Sequence, residues 1–362
     1  MLFPGQAAQP ASRTGTPSKS DFATEAEAIR VLLRRAVATR DLVKAASTEN
    51  LVAARDALAA GANPNYVNGR GQSALSFALY RGDIPMLDLL LKPPVPALPV
   101  PRPTAQAASG RAAARIAASV PASAAAPAIA VNPQTILAAL KSYISTEGLA
   151  YALALPGLDV PKANLDELLG AAVKEGNPRK VELLFPRDPK LDANRWILEA
   201  ARTTAGTLTM LLKYGGDPNH RGGFPGETDE RDLTPLIVRV WKAGCTAQAV
   251  NSLLAAGADP NHKTSEGRAA LHFATGECLL ALLAAKPDIE IRDDYNNTPL
   301  LKRAGAMSEF EPFVRADIQA LLNAGANPAA VNKGGQSVRD VMRAYQPSRL
   351  NLLEGQPRNA RP

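Results

Sequence analysis

One short phrase is written several times along this chain, and the repetition limits what it can fold into. GANPN at 61–65 is followed by QSALSFA at 72–78, GGDPN at 215–219 by LTPLI at 233–237, and GADPN at 257–261 by RAALHFA at 268–274. KPDIE at 286–290 precedes NTPLL at 297–301, and GANPA at 325–329 precedes GGQSVRDV at 334–341. Between these phrases the apolar residues come as pairs of short helical stripes. Leu42, Val43, Ala45 and Ala46 mark one helix, Leu51, Val52, Ala54 and Leu58 its partner, and Gly61 ends it. Leu75 and Ala78 open the next pair, and Leu42 to Leu75 is 33 residues. A helix pair of this size cannot bury its own apolar face. Stacking such pairs supplies the core, so the chain reads as a repeat array.

The period, the glycine-rich turn and the TPL-type helix start resemble the ankyrin repeat. The residues that carry the resemblance are Thr234-Pro235-Leu236, Ala270-Leu271-His272-Phe273-Ala274 and Thr298-Pro299-Leu300, with the turn element at 61–65, 215–219 and 257–261. Eight or nine units cover roughly 40–92 and 134–345, several of them loose copies. The resemblance implies an all-α solenoid of helix-turn-helix units with short β-hairpin loops. Spacing departs from the family pattern. Asp217 to Asp259 is 42 residues and Asp259 to Asp288 is 29, so the shorter unit is expected to lose a helical turn.

Composition divides the chain further. Residues 1–20 and 346–362 read as disordered ends, and 93–132 as a Pro/Ala-rich linker that interrupts the array. Residues 21–92 then hold a capping helix, with Glu25, Glu27, Arg30, Arg34 and Arg35 among apolar positions, and the first repeats; 133–345 form the main array. The net charge of +7 lies wholly in 1–38, 93–132 and 346–362. A basic excess outside the folded repeats gives no face that tracks phosphates, so no specific nucleic-acid partner is expected. No apolar run is long enough for a membrane span, and no charged start with an apolar block marks a cleaved secretory signal. Cys245 and Cys278 have no CxxC spacing and fit a reduced compartment, although one disulfide is also compatible with the sequence. A cytoplasmic location follows, with secretion lacking a cleaved signal as the alternative.

Candidate chemistry reads as structure. His272 stands at the histidine of the helix start, where the resemblance implies hydrogen bonds between turn and helix. His220 and His262 both follow Pro-Asn, which makes them equivalent turn positions without a third metal ligand. Gly69-Arg70-Gly71-Gln72-Ser73-Ala74 matches a dinucleotide fingerprint but lacks the strand that fingerprint needs. No catalytic, cofactor or metal site is expected, and the chain reads as a monomer that is not an enzyme.

The resemblance implies binding through turn tips and the concave face of the first helices. Phe77, Tyr80 and Trp241 fall on predicted concave positions; Tyr66, Arg70, Phe224, Lys263, Arg292 and Tyr295 fall on turn tips. Aromatics make up 5% of the residues, so their concentration there marks a partner-binding surface for a protein. The runner-up reading, drawn from the Ser/Thr/Pro/Gln-rich N-terminus, is a secreted bacterial effector or toxin-associated factor that binds a target in another cell.

Overall fold

The computed structural model describes residues 19–91, 131–141, 143–224, 231–241, 244–306 and 311–354. The linker expected at 93–132 lies almost wholly outside them, as do residues 1–18. The chain divides into two compact units, Met1–Asp159 and Val160–Pro362.

The first unit opens on α1 (Lys19–Ser47), a single helix of 29 residues that fuses the expected cap with the first helix of the first pair. Its second half packs on α2 (Leu51–Ala59) and α3 (Ala74–Arg81) through Ala38, Leu42, Ala45 and Ala46, all buried. α4 (Ile84–Leu91) pairs with α3, and α5 (Pro133–Leu140) and α6 (Thr146–Leu153) also pack on α3. The expected boundary at the linker is therefore not where the units part: α5 and α6 complete the first unit. Ser145 N–H and Oγ both donate to Leu79 O, at 3.2 and 3.1 Å. Gly148 makes this approach possible, since a Cβ there would lie 2.2 Å from that same carbonyl oxygen.

The second unit holds two rows of elements. The first row runs α7 (Lys162–Lys174), α9 (Asn194–Arg202), α11 (Pro235–Trp241), a 3-10 turn at Ala270–His272, α14 (Pro299–Ala304) and α16 (Val338–Tyr345), each in contact with the next. The second row runs α8 (Pro178–Leu184), α10 (Ala205–Lys213), α12 (Ala247–Ala255), α13 (Gly276–Ala284) and α15 (Glu311–Asn323), again neighbour to neighbour. Leucines and small residues between the rows form the core, among them Leu169, Ile197, Leu211, Leu236, Leu253, Leu279 and Leu300.

The repeated phrase does its work through hydrogen bonds. Within each copy the first acidic or amide side chain accepts from the amide two residues on, as Asp217 does from Asn219, Asp259 from Asn261 and Asp288 from Glu290. The side chain of that second residue then accepts from the next copy: Asn219 Oδ1 from Asp259 N–H at 2.7 Å, Asn261 Oδ1 from Asp288 N–H at 2.8 Å, Glu290 Oε1 from Asn327 N–H at 2.7 Å. Asn194 begins this ladder by accepting from Asp217 N–H. In the first unit Asn65 accepts from Asn132 N–H at 2.7 Å, so the ladder joint is remade with a residue on the far side of the linker.

The turn tips form a second repeated device. Asn68, Thr264, Asp293 and Asn332 each close a loop to the carbonyl four residues on, and each side chain accepts from the amides two and four residues ahead. The fourth residue of each loop takes a left-handed backbone, Gly71, Gly267 and Gly335 at φ 73–75° and Asn296 at 61°. The expected β-hairpins are thus side-chain-braced turns. Among the described residues only isolated bridges occur, Gly222 with Leu233 and Val331 with Ser337.

Two expectations are corrected. The tail expected to be disordered from 346 carries a 3-10 helix at Pro347–Leu353. Its Arg349 is fully buried and donates to Ala304 O and Ala306 O, satisfying carbonyls that the end of α14 leaves free. Arg239 does the same for α9 through Ala201 O and Thr203 O, and burial lowers its pKa. Second, Cys245 and Cys278 form a disulfide, with Cα atoms 6.2 Å apart.

Candidate interaction surface

The predicted binding residues divide between the units. In the first, Tyr80 is 52% exposed and its ring lies 5.6 Å from that of Tyr143, also exposed. Tyr66 and Arg70 are exposed at a turn tip, and Phe77 is half-buried beside them in sequence order on α3. In the second unit Tyr295 is the most exposed of the predicted aromatics, at 66%.

Lys263 and Arg292 have structural work. Lys263 Nζ donates to Arg292 O at 2.8 Å, and Arg292 Nη1 donates to Asn296 O and Val331 O at 3.1 and 3.0 Å. They tie three successive turn tips together. The tips are therefore a joined edge that presents Tyr295 from a braced loop.

Two aromatic-cationic clusters stand on the first-row side. Trp241 stacks on Phe273 at 5.1 Å, with the Arg268 guanidinium 5.7 Å from the Trp241 ring and 4.9 Å from Phe273. Phe273 also lines a groove of about 520 Å³ with His272, Leu301, Lys302, Arg303 and Tyr345. The short unit explains the groove. Where its neighbours carry a helix, the chain makes only the turn Ala270–His272 and passes at once into α13. The lost turn expected from the 29-residue spacing is taken from the first helix, and it leaves space against α14 and α16.

His272 holds this shortened element in place. Its Nδ1 accepts from Ala269 N–H at 3.0 Å, and its Nε2 donates to Asn297 O at 3.1 Å in the tautomer that this bond selects. Burial pushes its pKa below the ordinary 6.5, which favours the neutral ring those two bonds require. Asp317, buried, caps α13 from the neighbouring unit by accepting from Gly276 N–H at 2.9 Å, and pairs with Arg303.

The second cluster brings Phe224 together with residues that sequence reasoning missed. Trp196, Arg195, Arg202 and Lys174 line a hollow of about 430 Å³ with Phe224 and His220. Arg202 lies over the Phe224 ring at 4.6 Å, and Lys174 and Arg195 lie over Trp196 at 5.7 and 5.4 Å. Trp196 Nε1 donates to Asp166 at 3.1 Å, and Asp166 pairs with Arg195. The usable signal was rarity: Trp196 is one of two tryptophans in the chain. It precedes Ile197 in a loosely written repeat, outside the positions the helix pattern singles out.

Among the described residues no group of His, Cys, Asp and Glu is arranged to hold a metal ion, and no helix is long and apolar enough to cross a membrane. Stacked helix pairs, ladder-joined turns and a side lined with aromatics and arginines define an all-α repeat protein of the kind that presents a surface. The matched residues point to a family: 42–91 match the family model for ankyrin repeats (many copies), which supports an ankyrin-repeat assignment. No curated protein matches it. Ankyrin repeats are protein-interaction modules, and the family is typically non-catalytic.

Proposed function

We propose that this chain is a non-catalytic scaffold that binds a protein partner through the first-row side and turn tips of its second unit. The observation that carries the reading is the Trp241–Phe273–Arg268 cluster beside the groove left by the shortened unit. Aromatic and arginine side chains at the rim of a depression are where interfaces concentrate their energy. Tyr295, held by a braced turn, extends the surface along the tips. The test is affinity capture from native lysate with wild type and a Trp241→Ala/Tyr295→Ala variant matched for helicity and melting temperature. A partner retained by wild type and reduced at least tenfold with the variant is expected. Equal retention by both removes the surface from the reading.

One observation favours export as the second reading. The chain's two cysteines are joined to each other, and such bonds persist in oxidising compartments and are rare in the cytosol. An exported effector or toxin-associated factor acting on a target in another cell accords with that bond. Thiol labelling of protein taken directly from its source cells, with and without prior reduction, tests it. Both thiols free in the native protein would leave the cytoplasmic reading standing.

A further inference from the structure

The first-row side of the second unit carries its depressions in a line. The hollow at Trp196 and Phe224 lies against α7 and α9, and the Trp241–Phe273 stack follows on α11 and the shortened element. The groove then ends against α14 and α16. The cations along this line fall into two groups. Arg195, Arg202, Arg268 and Arg303 are committed to Asp166, Glu199, Glu266 and Asp317. Lys174 and Lys302 are not. Both are exposed, and among the described residues neither ammonium meets a carboxylate.

Each of these lysines belongs to one depression. Lys174 lines the hollow, 5.7 Å from the centre of the Trp196 ring, and Lys302 lines the groove. Glu199 is the one acid among the described lining residues of either, and Arg202 already neutralises it. The unmatched charges therefore stand at the two ends of the line, with an aromatic stack between them. From α7 to α14 the first row makes four neighbour-to-neighbour steps. Steps of about 8–10 Å set the two lysines roughly 35 Å apart. An extended chain at about 3.3 Å per residue covers that span in about ten residues.

The spacing of the charges decides which polymer fits. Single-stranded nucleic acid carries a charge at every nucleotide and needs a continuous cationic track beside its stacking rings. Here carboxylates match the arginines, so only the ends are positive. A peptide can place carboxylates at both ends and apolar side chains between. We propose that this side takes an extended acidic segment of a protein partner, its carboxylates near both ends and its leucine or aromatic side chains in the middle. The proposal rests on the reading of this side as the partner surface and adds the partner's chemistry. Lys174 and Lys302 hold the two ends, and Trp241 and Phe273 take the middle.

Fluorescence anisotropy on the full chain, with labelled synthetic peptides of about twelve residues, tests it. The matched probe carries a glutamate pair near each end with leucine and tryptophan between. The permuted probe has the same residues with its glutamates in the centre. The matched probe should bind in the micromolar range, and the permuted one at least tenfold more weakly. Lys174→Gln/Lys302→Gln should weaken the matched probe about tenfold at low salt, and wild type in high salt should approach that value. Melting should not change, because both side chains are exposed. Lys286→Gln, an exposed lysine just past α13 in the second row, should leave binding as it is.

Equal binding of the two probes, or none of either, overturns the proposal. So does a matched probe that binds the double variant as it binds wild type. A single strand of about twelve deoxythymidines that binds more tightly than the matched probe would assign the line to nucleic acid instead. Lysate capture separates the two readings. A partner lost with Trp241→Ala/Tyr295→Ala but fully retained by the lysine variant keeps the scaffold surface and removes the acidic segment.

Discussion

At the scale of single residues, the repeated phrase is a hydrogen-bonding instruction. The amide at Asn219 or Asn261 serves the neighbouring copy, which is why the turn sequence matters more than its hydrophobicity. His272 shows how narrow such a role can be. The ring needs Nδ1 as an acceptor for Ala269 N–H and Nε2 as a donor to Asn297 O, so it must be neutral. Its pKa in the fold lies below 6.5, so on acidification the unfolded chain takes up the proton first. The stability due to this histidine is therefore complete above about pH 6.5 and is lost as pH falls through the lowered folded pKa. His272→Ala should cost about 1–3 kcal/mol at neutral pH through the two lost bonds. Urea melts at pH 7.5 and 5.5 check the linkage: the gap between wild type and variant should narrow at the lower pH. A constant gap would mean the ring takes up its proton over the same pH range in the folded and unfolded chain, so that burial does not lower its pKa.

At the scale of elements, what the sequence revealed depended on whether the information was local. Turn glycines, Thr-Pro-Leu starts and paired stripes specify their own conformation, and α3, α11 and α14 begin where those signals stand. The 29-residue spacing announced a missing turn, but not that the first helix would lose it or that a groove would open beside Phe273. Packing decides such outcomes. Trp196 went unnoticed for the same reason: it lies against Gly170, where a Cβ would come within 2.4 Å of its ring, and no single-helix pattern records that meeting. The largest non-local surprise is that α5 and α6, beyond the linker, complete the first unit. Gly148 is its tightest point. Gly148→Ala forces a methyl into Leu79 O and should destabilise the first unit by about 1–3 kcal/mol. Hydrogen exchange followed peptide by peptide should show the loss in α3 and α6 and leave α9 to α16 unchanged. Equal protection of α3 in both proteins would sever α6 from that unit.

At the scale of the whole molecule, the disulfide separates two properties that the repeats share, stability and place. It joins the segment between α11 and α12 to α13, closing a 33-residue loop inside the second unit where the shortened element interrupts the first row. A stack of repeats is as strong as its weakest interface, since each unit contacts only its neighbours. A cross-link placed at the one unit whose first helix is reduced to a turn restrains the joint with the least helix packing. Loop-closure entropy for a bond of this span stabilises the fold by about 2–4 kcal/mol. Cys245→Ser/Cys278→Ser should therefore lower the unfolding free energy of the second unit by that amount and leave exchange in α2 to α4 untouched. Reductant should bring wild type to the same value and do nothing further to the variant. Because the effect acts through the unfolded chain, partner capture by the variant should persist wherever the second unit remains folded. Loss of capture in a folded variant would assign the bond a direct part in shaping the Trp241–Phe273 surface.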